Sequence, residues 1–186
     1  MQMYAKKFKS NSTPRIDSML SQNVQDQINE QINNELFSSY SYLAMSAYCS
    51  EKQYHGCAHW LRMQSQEENE HAMRLYDFLI ARGGRVVLSK IKEPKAEFKS
   101  LLSVFKNVLK QEMKVSAQID ALFELALKEK AFAALVELEW FVQEQVEEEK
   151  NARDILHKVE LLKDDPSSLL DLDRDLGDRK EEGENA

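Results

Sequence analysis

The feature that most constrains this chain is a polar interruption recurring at one level of four long apolar seams. The sharpest instance is Gln66-Glu67-Glu68-Asn69-Glu70-His71. A helix turns by about 100° per residue, so Glu68 and His71 project from one face within metal-sharing distance. Both fall on the seam Leu61, Gln64, Glu68, His71, Leu75, Phe78, whose steps of three and four predict burial. An acid and an imidazole in a core cost several kcal/mol, by order of magnitude, unless they are paired or bind a metal.

The other seams show the same break. Predicted α1, about Ser21 to Glu51, carries Ile28, Ile32, Glu35, Ser39 and Tyr42. The second stretch, from about Cys57, ends at Arg82 before Gly83-Gly84, a strong stop signal. The third, about Phe98 to Glu129, runs Leu101, Phe105, Val108, Glu112, Val115, Ile119, with Glu112 its only charge. The fourth, about Phe132 to Leu162, has the seam Ala134, Leu138, Phe141, Gln145, Glu148, Ala152, Ile155, Val159 and Leu162, apolar except at Gln145 and Glu148. Between the second and third, Arg85 to Glu97 has no helical period and contains Pro94. This connector of about thirteen residues is longer than an ordinary helix-helix turn needs. At roughly 3.3 Å per residue it spans up to about 43 Å, enough to cross a bundle. Pro166 opens a short fifth helix through Leu169, Leu170, Leu172 and Leu176.

The expected fold is therefore all-α, a four-helix bundle with a long crossover and a short C-terminal helix. Residues 1–20 form a basic N-terminal extension, 21–176 the bundle with its fifth helix, and 177–186 a charged flexible tail. The extension has no acid before Asp17, so a remnant of an organellar presequence is the alternative to a cytoplasmic location.

Composition narrows the partners. Five Gly and three Pro among 186 residues leave a strongly helical chain of one domain. A net charge of -7 argues against nucleic acid and is compatible with attracting cations. No apolar run reaches the roughly 18 to 20 residues of a membrane span. Cys49 and Cys57 lack CxxC spacing and read as reduced structural thiols.

The interruptions also repeat. Glu35 to Glu68 and Glu112 to Gln145 are each 33 residues apart. Each half offers a lone Glu on its first helix, then Glu68-x-x-His71 or Gln145-x-x-Glu148 on its second. Antiparallel pairing brings four carboxylates and one imidazole to one level. Such oxygen and nitrogen ligands suit iron, manganese or zinc, and repulsion among the acids disfavours an empty, ionised site.

On Asn34-Glu35-Leu36-Phe37-Ser38-Ser39-Tyr40-Ser41-Tyr42, Glu67-Glu68-Asn69-Glu70-His71-Ala72 and the run from Trp140 to Lys150, the sequence resembles the prokaryotic non-haem ferritins over about Asn23 to Leu176. The resemblance implies a ferroxidase that oxidises Fe(II) with O2 or H2O2 at a di-iron centre. It also implies ferric mineral stored in a homo-oligomeric shell of twenty-four subunits. By it, Glu35, Glu68 and His71 hold one iron, Glu68 bridges, and Glu112 with Glu148 holds the second. Gln145 hydrogen-bonds a water or oxygen species. Asn69 stands where the bacterioferritin variant has a haem-ligating Met, so haem is not expected. Glu67, Glu144 and Glu147, beside Glu148, match a third iron position.

Tyr42 lies seven residues after Glu35 on the same face and is a candidate electron donor, as is Trp140. His55, His59 and His157 have no ligand-like spacing. A di-iron oxygenase or peroxidase acting on an organic substrate, and a metal-free helical scaffold, are the alternatives from other classes. Gln145 in place of a second bridging carboxylate opposes the first, and the buried charges oppose the second.

Overall fold

The computed structural model describes residues 19–179, so most of the basic extension and the end of the tail lie outside the described residues. The described residues form five helices: α1 (Gln22–Glu51), α2 (His55–Ala81), α3 (Leu101–Lys128), α4 (Phe132–Leu162) and α5 (Pro166–Gly177). Their ends follow local chemistry. The Ser21 hydroxyl accepts the Val24 amide at the start of α1, and Asp165 accepts the Ser167 and Ser168 amides ahead of Pro166 in α5. Gln53, Gly83 and Lys130 take left-handed φ values of 64°, 73° and 55° and close α1, α2 and α3.

Two boundaries differ from the sequence expectation. α2 begins at His55, and α3 begins at Leu101 rather than Phe98. A reciprocal cap between Ser100 and Ser103 sets that start. Phe98 stays in the connector, edge-on to Tyr48 at 5.3 Å between ring centroids.

Neighbouring helices run antiparallel. Ser39 and Ser46 of α1 donate to the carbonyls of Ser65 and Ala58, so the α2 partner number falls as the α1 number rises. Tyr42–Glu112 and Met45–Asn107 show the same for α1 and α3, and Gln64–Glu148 and Arg74–Glu137 for α2 and α4. α2 and α3 are thus parallel, which forces the connector to travel the length of the bundle. Asn29 and Asn33, one turn apart on α1, guide it. Their side chains accept the amides of Val87 and Ser89 at 2.7 Å each and donate to the carbonyls of Arg85 and Val87.

The core is split into two apolar clusters. One gathers Met45, Trp60, Leu61, Phe105, Val108 and Ile155, the other Ile28, Ile32, Leu79, Ile119, Leu122 and Phe141. A fully buried side chain of this kind contributes about 1.5–3 kcal/mol, so the two clusters clamp a polar belt between them. Every predicted seam position of α3 named above is buried. In α2 the seam departs at its end: Leu79 is buried and Phe78 only half-buried, because a straight helix drifts from a 3.5-residue repeat.

α5 folds back onto the start of α2. The Asp173 carboxylate accepts the amides of Gly56 and Cys57 at 3.1 and 2.8 Å. A Cβ on Gly56 would lie 1.6 Å from the Asp173 carbonyl oxygen, so only glycine admits this approach. Gly177 completes α5, and Arg179 is docked against α2, so the expected flexible tail does not begin at 177. Met19 and Leu20, assigned above to the extension, already pack: Leu20 is buried and the Met19 amide donates to the Arg82 carbonyl.

Candidate metal centre

The belt between the clusters holds the residues singled out in the sequence. Glu35 from α1 and Glu112 from α3 are fully buried, and Glu68 and His71 from α2 and Gln145 and Glu148 from α4 are nearly so. Each reaches the interior because it occupies a seam position whose neighbours one turn away are apolar.

A separate contact holds each carboxyl. Gln31 donates to Glu35 at 2.8 Å, Gln64 donates to Glu148 at 2.9 Å, and the Tyr42 phenol donates to Glu112. Glu35 and Glu68 share a hydrogen bond. The His71 Nδ1 lies 3.7 Å from the Glu68 carboxylate, and the ring packs edge-on against Trp140 and Phe141. Among the described residues no three His, Cys, Asp or Glu side chains close on a common point in this arrangement. Two carboxylate oxygens of the belt nonetheless lack any hydrogen-bond partner among the described residues despite burial: Glu35 Oε2 and Glu112 Oε2. A buried carboxylate oxygen without a donor is costly, and a cation would satisfy both.

The electrostatics point the same way. Burial, above all, raises Glu35 and Glu112 to about 7 and Glu148 to about 8. The Gln31 and Glu68 hydrogen bonds restrain Glu35, the Tyr42 hydrogen bond restrains Glu112, and the charges of Glu112 and Glu67 push Glu148 further up. Glu68 is raised well above the usual carboxylate range by burial and then by Glu112, Glu35 and Glu148. Burial, with Arg74 nearby, lowers His71 to about 4, so at neutral pH the imidazole is uncharged and offers a lone pair. Four acids that sense one another, holding protons that a cation could displace, beside a neutral imidazole, are oxygen and nitrogen donors of the kind that suits divalent metal ions.

The remaining expected residues lie in or around the belt. The Gln145 amide donates to the Glu112 backbone carbonyl and to Ser116 Oγ, both at 3.3 Å. Glu67, half-buried, accepts from a single guanidinium nitrogen, Arg179 Nη2, which lies 2.7 and 2.8 Å from its two oxygens. Glu144 is half-buried and Glu147 exposed. Trp140 lies under the Arg74 guanidinium, 4.0 Å from its carbon, while Tyr42 is edge-on to Trp60 at 6.4 Å. Sequence reasoning assigned no role to Gln31, Gln64, Trp60 or Arg179. Gln31 and Gln64 could have been noticed as amides one turn before Glu35 and Glu68; Arg179 had no periodic signal at all.

Antiparallel helices, a long crossover and a buried carboxylate–imidazole belt at mid-height define the ferritin-like class of bundle. The family model described as the ferritin-like domain matches residues 25–162, and the chain belongs to that family. It is 35% identical to the bacterial non-heme ferritin of Staphylococcus aureus (strain USA300), over 87% of this chain and 97% of that one. The corresponding protein of Staphylococcus haemolyticus (strain JCSC1435) is 37% identical over the same shares. Among solved structures, an open-pore ferritin from the hyperthermophilic archaeon Archaeoglobus fulgidus superposes with a TM-score of 0.86 at 42% identity, covering 87% of this chain and 98% of that chain.

Proposed function

We propose that this protein stores iron and oxidises it on entry, as a ferroxidase subunit of a hollow homo-oligomer. The observation that carries the reading is the belt itself: Glu35, Glu68, Glu112 and Glu148 from four helices, buried with a neutral His71 and two donorless oxygens. Iron is here substrate and cargo. Glu35, Glu68 and His71 would hold one Fe(II), Glu112 and Glu148 a second, with Glu68 shared between them.

Each Fe(II) gives up one electron. The pair of electrons, with two protons, converts O2 to H2O2, or H2O2 to two molecules of water. The chain's residues supply the setting. The acids release their protons as ions bind, the apolar clusters above and below exclude bulk water, and Gln145 orients an oxygen species. Tyr42, hydrogen-bonded to Glu112 and edge-on to Trp60, is placed to give a further electron. Glu67, Glu144 and Glu147 would form a third ion position on the way out of the pair. No haem enters this reading.

The shell of twenty-four subunits belongs to the same proposal. Exposed apolar side chains on α1 and the connector, including Tyr40, Leu43, Val87 and Leu88, support burial against other copies. Among the described residues no helix is long and apolar enough to cross a membrane, which is compatible with a cytoplasmic store. Size-exclusion mass together with iron bound per chain after aerobic loading tests the reading. A large oligomer retaining far more iron than two ions per chain is expected. A monomer or dimer that retains no more than two ions per chain contradicts it.

A further inference from the structure

Beyond α5 the chain does not leave the bundle. Arg179, two residues past the last helical residue Gly177, turns onto α2 and makes contacts in several directions. Its Nη2 reaches both oxygens of Glu67, and its Nη1 donates to the side-chain carbonyl of Gln64. It also lies 5.2 Å from the Trp60 ring centroid, and the Arg179 backbone carbonyl meets His59 Nε2 at 2.9 Å. The side chains of Arg179 and Glu67 are only 20% and 16% exposed, unlike the ordinary surface pairs of this protein such as Lys150–Asp154. A charge-assisted hydrogen bond largely screened from water is stronger than an exposed ion pair, and here the second guanidinium nitrogen is held by Gln64. The segment is also fixed from behind, because Asp173 and Gly56 lock α5 to the first turn of α2.

Gln64 extends the contact inward. Its carbonyl accepts from Arg179 while its NH2 donates to Glu148. One arginine therefore restrains Glu67 directly and Glu148 through Gln64.

We propose that Arg179 is a positioning residue and latch: its guanidinium occupies the place at Glu67 that a third metal ion would take, so that ion binds only when Arg179 swings away. The proposal rests on the reading that Glu67, with Glu144 and Glu147, accepts a cation next to the di-iron pair. A carboxylate whose two oxygens are both engaged by a guanidinium has little left to offer a cation. The C-terminal segment thus sets when Glu67 becomes available, and the release of Arg179 also frees Gln64 to let Glu148 shift.

The test is zinc binding to the full-length, metal-freed oligomer, read by titration calorimetry and by anomalous diffraction, neither of which depends on turnover. In the parent, two Zn(II) per chain are expected to bind well and a third weakly. In Arg179→Ala the third should tighten by about tenfold or more, with its anomalous peak at Glu67, and Glu67→Gln in that background should abolish it. Arg179→Lys, a point charge without the second nitrogen that holds Gln64, should fall between the two. A parent crystal at high zinc needs no variant, and should show the third peak only with Arg179 displaced from Glu67. The latch is overturned if the third ion binds equally in parent and Arg179→Ala, or if the ion and the intact Arg179–Glu67 pair occur together. If the pair fills and no third ion binds in any variant, the underlying third-ion reading fails and takes the latch with it.

Discussion

The Tyr42 phenol on α1 donates to the Glu112 carboxylate on α3, joining the two halves of the bundle at the level of the acids. Tyr42 is fully buried, and burial followed by the charges of Glu112, Glu148 and Glu68 raises its pKa well above the ordinary value. It therefore stays protonated and serves as a donor throughout the neutral range. Tyr42→Phe keeps the ring against Trp60 but strands a buried acceptor, so a loss of about 1–3 kcal/mol in chemical denaturation is expected. Fe(II) should still bind, while a tyrosyl radical signal after oxygen addition should disappear. A radical that survives unchanged assigns it to another residue, with Trp140 and Trp60 the next to substitute.

The acids fix a pH dependence of opposite sign to that of common surface carboxylates. Glu35, Glu112 and Glu148 have folded pKa values raised to about 7, 7 and 8 from 4.5. Between about pH 4.5 and 8 the folded state binds more protons than the unfolded one, so their contribution to stability falls as pH rises through this window. His71, lowered from 6.5 to about 4, works in the opposite direction between those two values. Glu68 is raised as well, so with four acids against one imidazole the metal-free protein should lose melting temperature from about pH 6.5 to 8, where His71 no longer opposes the acids. Zinc should restore more stability at pH 8 than at pH 6, because binding displaces fewer protons there. A melting temperature that climbs steadily over the upper window without metal would contradict the burial of these acids.

Gly56→Ala tests the seat of α5. The new methyl group would meet the Asp173 carbonyl at 1.6 Å, so the helix must move. Overpacking of this sort costs about 1–3 kcal/mol, and Asp173→Ala should cost a similar amount by leaving the Gly56 and Cys57 amides without their acceptor. Denaturation of both variants, together with amide exchange across α5, checks this. Unchanged exchange in α5 of Gly56→Ala would show that the contact is not tight.

The crossover gives a local prediction. Asn29→Ala and Asn33→Ala remove the acceptors of the Val87 and Ser89 amides. Those two amides should exchange faster by about fivefold, from a loss of roughly 1 kcal/mol per hydrogen bond, while the core helices stay protected. Equal protection in the variants would mean that something else holds the connector.

Much of this was legible from spacing alone. The apolar period placed the four long helices and put Glu35, Glu68, His71, Glu112, Gln145 and Glu148 on inward faces, because a helix converts steps of three and four into a shared side. What spacing could not show is any contact between residues distant in sequence. Gln64 lay on the predicted seam, yet its partner Glu148 is on another helix. Asn29 and Asn33 looked like ordinary polar positions until the connector ran past them. Arg179 sat in a charged stretch that reads as solvated, and only the seating of α5 on Gly56 aims it at Glu67. The end of the α2 seam was misassigned to Phe78 because a fixed repeat was extended beyond the length over which a straight helix follows it.

The most direct measurement is the rate of Fe(II) oxidation in Glu68→Ala, loaded anaerobically and then mixed with oxygen. Glu68 lies among Glu35, Glu112, Glu148 and His71, and is the one carboxylate the proposal assigns to both ions. The apolar clusters on either side should keep the variant folded, as circular dichroism and size-exclusion mass would show. The initial oxidation rate should fall by more than about 100-fold, since even residues that only hydrogen-bond a metal's ligands are worth roughly 10–100-fold. Initial rates comparable to the parent in a folded, correctly assembled Glu68→Ala protein would contradict the assignment of this belt as the ferroxidase centre.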